Sequence, residues 1–111
     1  MVLKLSHAQD LIKMTKKNKV KCWVSFQNRY NNAIQELKYN ISKNKIGKIS
    51  LVDATLLWKR DYKYYKVTWR GNYKSDGGVL TNQGIHLLDA LIYLFGEIKK
   101  FNVIASFNKK K

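Results

Sequence analysis

Apolar residues at 80, 85, 87, 88, 91 and 94 follow one another closely enough to predict a helix over 79–95 that is oily on several sides, ended by Gly96 in the place of a C-terminal cap. Earlier in the chain Ala8, Leu11, Ile12 and Thr15 share one face, Ser6 and Gln9 have the spacing of a capping box, and the lysines of MTKKNK take the other side, so a helix over 7–18 is expected. A third helix is expected over 31–44, capped by Asn31 or Asn32, with Ile34, Leu37 and Ile41 inward and Gly47 just past its end.

Between the helices the pattern changes. VKCWVSF (20–26) is short, apolar and rich in β-branched and aromatic residues, the composition of a mostly buried strand. In KISLVDATLLWKR (48–60) Val52, Ala54, Leu56 and Trp58 alternate with polar positions, as in a strand with one covered face, and EIKKFNVIASF (97–107) reads as another strand. The stretch 61–78 has no period of either kind and predicts a long loop of the sort that often carries function. A helix feeding a buried strand points to the α/β class, and the one plausible domain boundary falls near residue 26.

Length narrows the picture, since 111 residues hold one small domain or part of a larger protein and cannot house both a cofactor domain and a substrate domain. No apolar run approaches the roughly 18 residues of a membrane span, and the N-terminus lacks the apolar core of a secretory signal. A single cysteine, Cys22, cannot form an internal disulfide; it is expected as a small core residue, and the compartment as the reducing cytoplasm. The net charge of +15 comes mostly from lysines dispersed along the chain. Without an arginine-rich stripe or a base-stacking motif, this argues for solvated faces over nucleic-acid binding, while still favouring an anionic ligand such as a nucleotide or nucleotide sugar. The closing NKKK reads as a solvated tail.

The chemistry concentrates in DGGVLTNQGIHLLDAL (76–91), where Asn82, His86 and Asp89 align on one face of an apolar helix. Three unsatisfied polar side chains buried there would cost roughly 1–3 kcal/mol each. Two readings answer that cost. In the structural one, His86 bonds a backbone carbonyl, Asp89 accepts from a neighbouring loop, and Asn82 sits where a first helical turn tolerates it. In the functional one, Asp89 or another acceptor fixes the tautomer of His86, which exchanges protons with a substrate while Asn82 holds a hydroxyl or the cofactor. Gly77 and Gly78 ahead of the helix permit close approach of a ligand or backbone. Phosphate-loop, nucleophile-elbow, paired-histidine zinc, C-x-x-C and G-x-G-x-x-G motifs are all missing from the sequence, and no metal site is expected.

FQNRYNNAIQELK (26–38), WRG (69–71) and above all DGGVLTNQGIHLLDAL closely resemble the Gfo/Idh/MocA oxidoreductases in order and spacing. The resemblance covers nearly the whole chain. It implies that residues 1–26 are the last helix and strand of a Rossmann domain binding NAD or NADP, and that 27–111 are the first half of an open-sheet α+β substrate domain used for oligomer contacts. Neither the family's Gly-rich cofactor loop nor its Glu-Lys-Pro segment with the catalytic lysine has a counterpart here, so the chain is expected to be a fragment, inactive alone. By the resemblance His86 is the acid/base of an Asp-x-x-x-His motif, and Asn82 stands where many members have the aspartate. That departure is similar to the branch acting on nucleotide sugars, UDP-N-acetyl-glucosaminuronate 3-dehydrogenases among them. Trp69 and Arg70 match a pair that touches the cofactor in some members. Gln27, Asn28 and Arg29 are placed beside the nicotinamide and substrate, with an interdomain salt bridge as the alternative for Arg29. The implied ligands are a sugar or UDP-sugar and NAD or NADP, and the implied assembly is a homo-oligomer. Two other classes remain open: a basic binding module for nucleic acid or anionic ligands, and an assembly role through the sheet.

Overall fold

The computed structural model describes residues 2–104. The first helix, α1, spans Leu5–Lys17. It starts earlier than the pattern predicts, its N-cap is Lys4, and no side chain caps it; Ser6 lies inside the first turn, so the expected capping box is not formed. A 3-10 turn over Gln27–Tyr30 leads to α2, Asn32–Ser42, where the Asn31 side chain accepts a hydrogen bond from the Ala33 amide at 2.9 Å. The expected loop over 61–78 holds two short helices, α3 (Tyr62–Tyr65) and α4 (Tyr73–Asp76), each capped by the side chain before it, Asp61 and Asn72. These Asx caps stop the chain from wandering between its two stronger elements.

The helix expected over 79–95 is real but not uniform. A π turn over Leu80–Gly84 opens it before α5, Ile85–Phe95, which Gly96 ends at a positive φ of 92°. Nor is it packed all round: α5 and α2 lie against each other with the 3-10 turn at their end, burying Ala90, Leu94, Gly84 and Asp89, while Leu88 and Ile92 remain exposed.

No strand ladder forms among the described residues. The segments 20–26, 48–60 and 97–104 carry β composition, but a strand exists only when a second one pairs with it, and none is aligned here. Residues 105–107 of the last expected strand, and the lysine tail, lie outside the described residues. In consequence Trp23 and Val24, expected in a buried strand, are exposed, as is Cys22, expected in the core. The alternation of 48–60 survives in exposure: Val52 (43%) and Leu56 (39%) are half covered, whereas Leu51 (83%) and Leu57 (89%) face outward. The start of the segment, Ile49 to Val52, borders a hollow with Ile41 of α2 and Leu94 of α5. The chain is open in shape, with a radius of gyration of 17.7 Å against about 13 Å for a compact domain of this length. It exposes 10679 Å² where a closed protein of its mass exposes about 6,300 Å².

Candidate functional site

Asn82, on the π turn, and His86, on the first turn of α5, line one cleft of about 440 Å³. Leu3, Trp23, Phe26, Trp69, Asp76 and Thr81 contribute to its walls. A π turn widens the helix by one residue per turn, a departure from regular geometry found often where a side chain must be re-aimed. The edge of the Phe26 ring meets the His86 imidazole, with centroids 6.1 Å apart. His86 Nδ1 is buried and has no hydrogen-bond partner among the described residues. His86 also borders a second hollow of about 290 Å³, lined by Gln27, Asn28, Trp58 and Gln83. His86 thus borders both hollows, sharing the first with Asn82 and Trp69 and the second with Gln27 and Asn28.

Asp89 and Arg29 lie elsewhere. Arg29 Nε donates to Asp89 Oδ2 at 2.8 Å and Nη2 to Oδ1 at 2.6 Å, a forked ion pair across 60 residues of sequence. The Asp89 carboxylate faces this guanidinium, so it does not serve as the tautomer-fixing acceptor for His86; an ion pair for Arg29 is present, but inside the 27–104 region rather than between domains. Asp89 holds the guanidinium pKa above its ordinary value, first through the hydrogen bond and then through charge. The guanidinium also stacks on Phe26 and Tyr93, at 5.9 and 5.2 Å. This clamp sets the 3-10 turn against α5 and so places Gln27 and Asn28 beside His86.

Asp76, an aspartate before paired glycines and so a turn signal, adds a further residue to the cleft wall. Its carboxylate accepts from the Gly78 amide at 2.8 Å and from the Gly71 amide at 2.6 Å, tying the WRG turn to the start of the π segment. These two amides, Gly78 more than Gly71, hold the Asp76 pKa below its ordinary value. Gly77 and Gly78 both take positive φ, 73° and 78°, and a Cβ on Gly77 would stand 2.7 Å from Leu3 Cδ2 and 2.8 Å from Thr81 Cβ. The glycine pair lets the chain reverse tightly between Asp76 and the π turn.

Trp69 lines the cleft shared by Asn82 and His86; Arg70 does not, its guanidinium resting 5.1 Å from the Trp69 ring and 4.3 Å from that of Tyr64. Among the described residues no three His, Cys, Asp or Glu side chains gather to hold a metal ion, and no helix is long and apolar enough to cross a membrane.

Comparison with known proteins supplies the context. The family model of the GFO/IDH/MocA C-terminal domain matches residues 34–111. The chain belongs to the Gfo/Idh/MocA family. Among curated relatives it is similar to the glucose-6-phosphate 3-dehydrogenase of Bacillus subtilis (strain 168), 30% identical over 97 residues, which are 86% of this chain and 28% of that protein. The chain therefore spans just over a quarter of that relative's length. No solved structure matches it.

Proposed function

We propose that this chain is the substrate-handling part of an NAD(P)-dependent dehydrogenase that oxidises a hydroxyl of a phosphate-bearing sugar, with His86 as proton acceptor. The observation that carries this reading is the convergence of Asn82 and His86 on one cleft whose apolar walls suit the faces of a sugar ring. In it the carboxamide of Asn82 orients the hydroxyl, and His86 takes the hydroxyl proton as the carbonyl forms. Trp69 offers a flat wall beside His86 that fits the nicotinamide end of a dinucleotide. A bound nicotinamide supplies the two-electron acceptor. These residues include no glycine-rich loop for its pyrophosphate, so the 111-residue chain by itself gives no turnover.

A net charge of +15 favours an anionic substrate, and the similar Bacillus subtilis protein is named for glucose 6-phosphate. A UDP-sugar is the second reading, favoured by an amide at position 82. In the assembled enzyme, residues 20–26, 48–60 and 97–104 become strands of an α/β sheet, which also carries contacts between copies. A reducing cytoplasm suits the exposed Cys22.

The test is a chimera in which this chain replaces the aligned 97 residues of the Bacillus subtilis enzyme. NAD(P)H formation with glucose 6-phosphate or UDP-N-acetylglucosamine is expected, and His86→Gln should lower kcat by about 100-fold or more with little change in helix content. A folded chimera whose turnover is indifferent to His86 contradicts the proposal.

A further inference from the structure

We infer that Asp76 is a positioning residue for Asn82: its carboxylate draws the amino end of the carboxamide toward itself and so leaves the carbonyl oxygen and the second N–H for a sugar in the cleft. This rests on the dehydrogenase reading only for the identity of that sugar. Asp76 and Asn82 are the two residues that border both the cleft of about 440 Å³ and a smaller hollow of about 150 Å³ lined by Tyr64, Gly71 and Gln83. They belong to different elements, the end of α4 and the π turn, and the reversal at Gly77 and Gly78, with φ of 73° and 78°, brings them to the same two spaces. The carboxylate is fixed in place, because the Gly78 amide donates to Oδ1 at 2.8 Å and the Gly71 amide to Oδ2 at 2.6 Å. Among the described residues it is the one carboxyl on either wall, the other titratable side chains there being His86, Tyr64 and Tyr65. After the two amides, the Asn82 side chain is the next group that favours its charged form.

An ionised carboxylate only accepts hydrogen bonds, whereas a carboxamide has a donating end and an accepting end. Turned one way, Asn82 sets its carbonyl oxygen against Asp76 and brings acceptors together. Turned the other way, it sets Nδ2 there and can make a charge-assisted hydrogen bond. The choice decides what the cleft meets. With Nδ2 drawn aside, Asn82 offers an acceptor and a donor next to each other, a pattern that two neighbouring hydroxyls of a sugar complement. One hydroxyl oxygen takes the free N–H while its own proton goes to His86, and the adjacent hydroxyl donates to Oδ1. An aspartate at position 82 would instead stand against a second carboxylate. Asp76 thereby gives the amide at this position a physical reason.

Two experiments test the pairing. In the 111-residue chain without ligand, the Asn82 Nδ2 signals are expected to follow one acid titration curve with the Gly71 and Gly78 amides. Asn82→Asp should raise the midpoint of the Gly78 amide by about one pH unit or more, because each carboxylate then opposes ionisation of the other. Asn82→Leu, which loses the donor without adding charge, should raise it less. In the chimera, Asn82→Asp should lower kcat/KM, and adding Asp76→Asn, which exchanges donor and acceptor, should recover it by about tenfold; a role confined to holding the turn would make the second substitution a further loss. The inference is overturned if Asn82 stays still through the acid titration, if Asn82→Asp leaves the midpoint where it was, or if the two losses multiply in the exchanged pair. A chimera without turnover, beside an Asn82 signal that titrates and a midpoint that rises, removes the dehydrogenase reading and leaves the pairing standing; turnover with Asn82 and the midpoint unmoved does the reverse.

Discussion

Replacing Arg29 with leucine removes both donors, at 2.8 and 2.6 Å, from the carboxylate of Asp89, whose side chain is only 8% exposed. An ionised acceptor left at that depth without a partner costs about 3 kcal/mol. Asp89→Leu is the gentler change, because the Arg29 side chain is 41% exposed, keeps its stacking on Phe26 and Tyr93, and can turn to water. The double variant removes the buried charge together with its partner and recovers much of the loss. Urea unfolding followed by helical circular dichroism measures all three. With slopes of about 1–3 kcal/mol per molar, the Arg29→Leu midpoint should fall by about 1–3 M, and hydrogen exchange should quicken in α5 and the 3-10 turn together. The reasoning fails if Asp89→Leu costs as much as Arg29→Leu, or if the two losses simply add in the double variant.

Asp76 makes a pH prediction. Its folded pKa is depressed, so the closure it provides is present above the ordinary aspartate value and is lost as pH falls through the lowered one; the Gly71 and Gly78 amide signals should move together only on the acid side of the usual aspartate range. Asp76→Asn, with one acceptor oxygen in place of two, should release one of those amides at neutral pH, seen as faster exchange. Gly77→Ala places a methyl against Thr81 Cβ at a positive φ and should destabilise by more than about 1 kcal/mol in the same urea assay. Asn31→Ala removes the cap of α2 and should cost about 1 kcal/mol there.

What was legible in the sequence was local. The Asn31 cap and the Gly96 stop are each decided within a few residues, and both stand in the structure. The alternation of 48–60 was equally readable, and half-covered Val52 and Leu56 preserve it without a ladder, because side-chain direction is local whereas pairing needs a second strand. The 82–86 spacing placed two polar groups near one face, yet the π turn that carries Asn82 has no signature in hydrophobic period. The Arg29–Asp89 bridge spans 60 residues and could not be read from either end. Asp76 could have been found, since an aspartate ahead of two glycines commonly bonds backbone amides near it. That Arg60 and Arg70 both rest near Tyr64 depends on α3, within a stretch whose pattern showed only a loop.

The most direct test of the account watches His86 and Asn82 together. The chain has two histidines, and His7 lies outside the lining of the cleft. With glucose 6-phosphate added to isotopically labelled chain, the His86 imidazole and the Asn82 side-chain amide should shift with one saturation curve while His7 stays still. Binding that moves His7 or the surface lysines but leaves those two groups unchanged would contradict the claim that a sugar lies between them.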